Sequence, residues 1–296
     1  MEDATLAQGN QLVKLILQAK DPKRFLQNLI SNWGAVQVIG RGEIDQATFQ
    51  VAIKDIVNPF VEDKTNLRWF YPRGWEPIGV LEQLSVLQGF YPDLNGSRVI
   101  DIAARITVPK AADGLFVCPK PSGVAAKLGI SEPFGEGYGQ MLEASVLDHL
   151  ARQRRFYNCH GGNMTSDDVR MRQTAVDAIR KLEAEHPEGD FLVFPAQTGL
   201  KWGGYSPQNA CWEIEHKSEF EFPLPAWFGG HIILSNQARL KAHEILVIDC
   251  PGDKYRFGGG SAECLSFSFD SGRLVFGGKW LNYSSGLSGS ASGFFG

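Results

Sequence analysis

The segment Glu244–Asp253 holds the residues whose types and spacing are best suited to chemistry. Four consecutive aliphatic residues are followed at once by Asp249, Cys250, Pro251, Gly252 and Asp253. An unbroken apolar run bounded by turn residues predicts a strand buried on both faces. We expect Pro251-Gly252 to turn the chain, which would leave the two acids and the thiol at the carboxyl end of the strand. Open α/β sheets commonly place their ligand crevices there.

Two chemical roles are open to these residues. Asp249 and Asp253 could act as general acid and base or bind a divalent metal such as Mg²⁺, because neighbouring carboxylates split their pKa values and hard cations prefer oxygen ligands. Cys250 could instead be a nucleophile, which requires a histidine beside it. His231 and His243 are the candidates closest in sequence. The alternative is structural: the acids bond backbone amides of the turn, and the thiol packs as a small apolar group.

A second apolar run, Phe191–Phe194, predicts another central strand, which leads into small and polar residues up to Gly199. If this strand and the one before Asp249 are parallel neighbours, their ends would form one shared crevice.

Three further motifs give weaker functional signals. The aromatic and basic stretch 67–75 is either a stacking platform or a connection packed onto the core. The glycine-spaced stretch 135–140 fails the dinucleotide fingerprint, because its third glycine is replaced by Gln140. Glu215-His216-Lys217 contains the Glu-x-Lys pattern of some nucleases, but its surroundings predict a helix rather than a strand.

Composition argues against several function classes. The formal net charge of −4 and the pI of about 5.9 disfavour nucleic acid or a membrane surface as a partner, although a local basic patch is compatible with these values. No apolar run approaches the roughly 20 residues that cross a bilayer. The start, Met1-Glu2-Asp3, is acidic where a secretory signal is basic, which predicts a cytoplasmic protein. Five cysteines without a Cys-x-x-Cys pair predict reduced, mostly buried thiols.

The periodicity of apolar residues divides the chain into four regions. We predict a helical segment over 1–62, a mostly helical middle region over 63–186, a sheet-bearing region over 187–283 and a flexible Gly/Ser-rich tail over 284–296. Individual predictions include helices over 77–90, over 140–156 and from Thr165 to Leu182, and a strand over 115–118. Strict alternation on both sides of Asp270-Ser271-Gly272 predicts a hairpin.

From about Trp69 onward the chain resembles uncharacterised proteins of candidate-phylum bacteria. Three stretches carry the resemblance: Phe191–Gln197, Val247–Asp253 and Gly289–Phe294. No activity is attached to those proteins, so the resemblance implies a bacterial, cytosolic setting and no residue roles.

These observations together predict an α+β, or mixed α/β, protein with a helical N-terminal part and a sheet-bearing C-terminal half. They favour a cytosolic ligand-binding or protein-interaction role with an unidentified protein or small-molecule partner. The alternative is a hydrolase-like enzyme that uses Asp249 and Asp253 with a divalent metal, or Cys250 as its nucleophile.

Overall fold

The computed structural model describes residues 58–161, 164, 168–256 and 262–296. The chain divides into two compact units, Met1–Glu62 and Asp63–Gly296, and the fold described below is that of the second unit. Helices and strands are both abundant in it, so the prediction of a mixed α+β protein is confirmed. The helices predicted within residues 1–57 lie outside the described residues.

One mixed sheet organises the second unit. The described strands are β1 (Gly114–Pro119), β2 (Phe156–Asn158), β3 (Val169–Met171), β4 (Phe191–Gly203), β5 (Glu221–Pro223), β6 (Val247–Arg256), β7 (Ala262–Asp270), β8 (Arg273–Trp280) and β9 (Ser288–Phe294). Their order is β1-β4-β9-β6-β7-β8-β2. β3 pairs with β6, and β5 pairs with β9.

Strand β6 lies near the middle of this sheet and changes partners along its length. Val247–Asp249 pairs in parallel with β9, whereas Asp253–Tyr255 pairs antiparallel with β3. On its other edge, the register with β7 shifts between Cys250 and Tyr255. The Pro-Gly pair therefore lies inside an irregular strand, and the prediction that it turns the chain is wrong.

The physical reason is that proline and glycine each fit an irregular strand as well as a turn. Proline has no amide hydrogen and is tolerated where the ladder is interrupted. Gly252 donates its amide to the carbonyl oxygen of Leu224 at 3.1 Å. A Cβ atom at residue 252 would lie 2.5 Å from the carbonyl oxygen of Pro223, so the close backbone approach requires glycine.

Helices cover the sheet. The described helices are α1 (Val80–Phe90), α2 (Val99–Ala103), α3 (Pro121–Leu128), α4 (Tyr138–Met141), a π-helical segment (Leu142–Leu147), α5 (Asp148–Gln153), α6 (Gln173–Glu185), α7 (Pro207–Lys217), α8 (Ala226–Ser235) and a 3₁₀ turn (Gln237–Leu240). Every residue of α8 is buried, and it packs against the π-helical segment, β1 and β6. Among the described residues, no helix has the length and apolar character needed to span a membrane.

Several local predictions are confirmed and two need correction. The predicted hairpin is formed by β7 and β8, with Ser271 and Gly272 both at positive φ, as its two-residue turn requires. The helix predicted from Thr165 begins only at Gln173, because Val169–Met171 form β3; Thr165 itself is not among the described residues. The prediction of a flexible tail is wrong, since β9 lies in the sheet between β4 and β6.

Candidate functional site

Asp249 is completely buried on β6 and forms an ion pair. Its Oδ2 lies 2.7 Å from Nζ of Lys279 on β8, and Lys279 also donates to the hydroxyl of Ser288. The Lys279–Ser288 contact resembles a serine–lysine catalytic pair, which requires a neutral amine. Here the Lys279 side chain is held by Asp249 in the ion pair. The arrangement is therefore suited to holding β6, β8 and β9 together.

Asp253 is also completely buried, but it bonds to a different element, the helix α8. Its Oδ2 accepts the amide of Ala226, the first residue of α8, at 2.6 Å. Burial raises the pKa of this carboxyl from 3.8 to about 7, against the lowering effects of the Ala226 amide, the Tyr138 hydroxyl and Arg172. A second carboxylate oxygen, Oδ1, has no hydrogen-bond partner among the described residues. Asp253 thus caps a buried helix while its charge is disfavoured by desolvation.

The thiol of Cys250 is completely buried, and neither candidate histidine acts on it. A Cβ at Gly229 of α8 would lie 2.9 Å from the Cys250 sulfur, so the thiol packs directly against this helix. Burial raises the pKa of Cys250, which disfavours the thiolate. His231 uses both ring nitrogens elsewhere, contacting the Trp227 carbonyl and the Tyr91 hydroxyl at 2.7 Å each. His243 is exposed beside Trp69.

The structure therefore does not bring the predicted site residues into one crevice. Adjacent strand residues point to opposite faces, so Asp249 points away from the α8 face on which Cys250 lies. Asp253 bonds α8 itself, which places the two acids on opposite sides of the sheet. In addition, β9 separates β4 from β6, and β4 is antiparallel to β9 while β6 is parallel to it. The condition for a shared crevice, that β4 and β6 are parallel neighbours, is therefore not met. Because Asp249 and Asp253 lie on opposite sides of the sheet, the geometric basis for a magnesium site shared by these two acids is also lost.

A metal site of the usual composition is also not found in the described part of the chain. No group of three or more His, Cys, Asp or Glu side chains lies close enough to hold an ion there.

A different site lies at the far end of β6, where the strand pairs with β3. A cavity of about 550 Å³ opens there, lined by Asp168, Arg170, Arg172, Lys254, Tyr255, Arg256, Glu263 and Leu281. Among the lining residues that the structure describes, four cations against two carboxylates give two formal positive charges, although the whole chain carries −4. A volume of this size is typical of small-molecule sites.

The register of the β3–β6 ladder explains why these charges are concentrated. Arg170 is directly opposite Lys254, so two like charges lie side by side on one face of the ladder. Arg172 and Arg256 extend this face by two residues on each strand, where side chains point the same way. The carbonyl oxygen of Asp168 accepts the amide of Arg256, which places one acid opposite one cation. We call these four cations the basic quartet.

Within the part of the chain that the structure describes, Arg172, Lys254 and Arg256 form no ion pair. Like charges directly opposite each other destabilise an antiparallel pair. Arg172, Lys254 and Arg256 therefore carry positive charge without an ion-pair partner in that part of the chain, and an anion in the cavity would offset the repulsion among them.

The wall of the cavity contains one fixed aromatic group. Tyr255 is 4% exposed, and its hydroxyl lies 2.7 Å from Nδ1 of His160. Burial, with smaller effects from Asp168 and Glu263, raises the pKa of Tyr255 to about 12, so it stays a neutral hydroxyl. Burial also raises the pKa of Glu263. The cavity thus offers cationic donors together with carboxylate acceptors.

Sequence reasoning missed the basic quartet, although a signal for it was present. Arg170-x-Arg172 and Lys254-x-Arg256 both alternate with apolar or buried residues at period two, which is the pattern of one strand face. Each pair alone is typical of an ordinary solvated strand. Their concentration depends on the pairing of two segments more than 80 positions apart in the chain.

The aromatic stretch 67–75 is packed against the body of the protein. The Tyr71 hydroxyl donates to Asp113 at 2.8 Å, and the guanidinium of the fully buried Arg239 lies 4.2 Å from the Tyr71 ring centre. This geometry corresponds to the structural alternative for the stretch.

Comparison with known proteins adds no further constraint: no protein-family model, no curated protein and no solved structure matches this chain.

Proposed function

We propose that this protein binds a small phosphate-bearing ligand in the cavity of the basic quartet. The observation that carries the proposal is the like-charged pair of Arg170 and Lys254, directly opposite each other and flanked by two more cations. Arginine forms bidentate hydrogen bonds to phosphate and carboxylate oxygens, and lysine adds a point charge. A ligand with two negative charges matches the two formal positive charges of the described lining residues.

Asp168 and Glu263 narrow the class of ligand further. Carboxylates beside an anion site repel a second phosphate but accept hydrogen bonds from hydroxyl or amine groups. A phosphorylated sugar or a nucleoside monophosphate has both kinds of group and fits a cavity of about 550 Å³.

A cytoplasmic location is part of this proposal. All five cysteines are free, and four of them are buried, which supports a reducing environment. Phosphorylated metabolites are abundant inside cells, so a cytoplasmic location is consistent with a phosphate-bearing ligand.

Isothermal titration calorimetry tests the proposal with inorganic phosphate, glucose 6-phosphate and adenosine monophosphate as probes. We expect binding of at least one phosphorylated probe, weakened by added salt because the attraction is partly screened. Lys254→Gln and Arg256→Gln should each weaken it by about tenfold, the effect of one lost charged hydrogen bond. Lys110→Gln and Arg73→Gln remove exposed cations that lie outside the cavity lining, and they should change nothing.

Two results would contradict the proposal. One is binding of no phosphorylated probe at low salt. The other is equal weakening by the cavity variants and by the two control variants, which would indicate that only the overall charge matters. A supporting result is that Lys254→Gln without ligand is at least as stable as the original chain, because it removes a like-charge repulsion.

A further inference from the structure

A second cavity lies on the helical side of the protein and shares no lining residue with the basic quartet. Its volume is about 190 Å³, and it lies between the end of α1, the loop that follows, α3 and the helix formed by the π segment and α5. The lining residues are Phe90, Tyr91, Pro92, Asp93, Leu94, Val124, Lys127, Leu128, Ala144, Ser145 and His149.

The π-helical segment shapes one wall of this cavity. The amide of Asp148 donates to the carbonyl of Glu143, five residues earlier, where an α-helix would bond four residues back. Residues five apart lie on different sides of an α-helix, but π bonding brings Ala144 and His149 towards the same side. π-helical turns are rare and occur frequently at functional sites.

The other walls are aromatic and rigid. The His149 ring stacks on Phe90, with ring centres 4.9 Å apart and planes 28° apart, and it meets Tyr91 edge-on at 4.8 Å. The Tyr91 hydroxyl lies 2.7 Å from Nε2 of His231. Because the other nitrogen of His231 must donate to the Trp227 carbonyl, Tyr91 is the donor to Nε2. These two hydrogen bonds in series fix the Tyr91 ring in place.

His149 provides a polar atom that the protein itself leaves unused. Its side chain lines the cavity, the residue is 8% exposed, and Nδ1 is buried without a hydrogen-bond partner among the described residues. Burial lowers the pKa of His149, so the ring is neutral and offers one donor and one acceptor nitrogen. A buried polar atom without a partner is costly, and a ligand with one hydrogen-bonding group would remove that cost.

We propose that this cavity binds a single aromatic ring that carries one hydrogen-bonding group, such as a phenol. The size agrees with this class, since an apolar cavity of about 150 Å³ in another protein holds benzene. Flat walls from Phe90, Tyr91 and His149 favour an aromatic ring over an aliphatic one. Asp93 and Lys127 contribute one charge of each sign, so the lining has no preference for an ion.

The test is a nuclear magnetic resonance titration of the full chain with phenol and, separately, toluene. We expect phenol to bind about tenfold more tightly than toluene, with the largest shifts at Ser145 and His149. Ala144→Phe should abolish binding of both, because it places a ring at the exposed mouth of the cavity. Ala184→Phe adds the same ring at another exposed helical alanine and should leave binding unchanged.

His149→Phe keeps a ring in the wall but removes its nitrogen atoms. It should lower the affinity for phenol to that for toluene and leave toluene binding unchanged. The proposal is overturned if the original chain binds neither probe, if it binds both equally, or if Ala144→Phe and Ala184→Phe behave alike. Should Ala144→Phe fail to fold, as judged by circular dichroism, His149→Phe decides the question alone.

Discussion

Replacing Asp253 with asparagine should stabilise the protein, and the gain should be larger at pH 8 than at pH 5. Asp253 has a pKa of about 7 in the folded chain, against 3.8 for an ordinary aspartate. Because the folded pKa is raised, the folded state holds a proton that the unfolded chain releases between these two values. The stability that protonated Asp253 contributes is complete below pH 3.8 and is lost as the pH rises to about 7.

The size of the effect follows from these two pKa values. Each pH unit between them changes the free energy of unfolding by about 1.4 kcal/mol, so about 4 kcal/mol is lost by pH 8. At pH 5 less than half of it has been lost, because pH 5 lies nearer to 3.8 than to 7. The substituted asparagine stays neutral at every pH, and its side-chain oxygen can still accept the Ala226 amide. The gain from Asp253→Asn at pH 8 should therefore exceed the gain at pH 5 by about 3 kcal/mol.

Urea unfolding at the two pH values, followed by tryptophan fluorescence and circular dichroism, measures this difference. The gain at pH 5 is subtracted from the gain at pH 8. This difference removes the free-energy contribution of any hydrogen bond that the asparagine amide makes or loses equally at both pH values. Asp101→Asn is a matched control, because Asp101 is half-exposed in an ion pair with Arg98 and should give a difference well below about 1 kcal/mol. An equal gain at both pH values, or a larger one at pH 5, would refute the reasoning.

Three further predictions concern an ion pair, a glycine and a cysteine. Lys279→Met should cost about 3–5 kcal/mol in urea unfolding, because it leaves the buried carboxylate of Asp249 without its cation, and adding Asp249→Asn should restore most of the loss. Gly289→Ala should lower thermal stability markedly, since its Cβ would collide with a backbone oxygen of β4, whereas Gly79→Ala, with open space around it, should not. A thiol reagent should modify one cysteine in the folded protein, and Cys159→Ser should prevent this labelling, because the other four thiols are buried.

The position of β9 shows where composition misleads. Residues 284–296 are rich in Gly and Ser, which is typical of flexible linkers. The same residues alternate small side chains with serines, and the serines are used: Gln197 donates to the Ser292 hydroxyl at 2.8 Å, and Ser288 accepts from Lys279. Gly289 allows the backbones of β4 and β9 to approach closely. Serine and glycine form a strand here because their partners come from distant segments.

The location of the predicted site residues also depended on tertiary contacts. The apolar run before Asp249 does form part of a buried strand, but both acids are fully buried within β6 and do not open into a shared crevice. The separation of the two acids could not be read from the sequence, because the irregularity at Pro251-Gly252 decides which face each side chain takes. The basic quartet was missed because each strand contributes only two of its cations. The four cations come together only when β3 pairs with β6.

The amino-acid sequence by itself determined the local elements: the β7–β8 hairpin, the apolar strands β1 and β4, and the helices that begin near residues 80 and 138. These depend on periodicity and turn chemistry among residues close together in the chain. Only the tertiary structure decided which strands are neighbours, which face each acid occupies and where positive charge accumulates. Those outcomes depend on the register between segments far apart in sequence, and a shift of one residue would reverse every side chain on a strand.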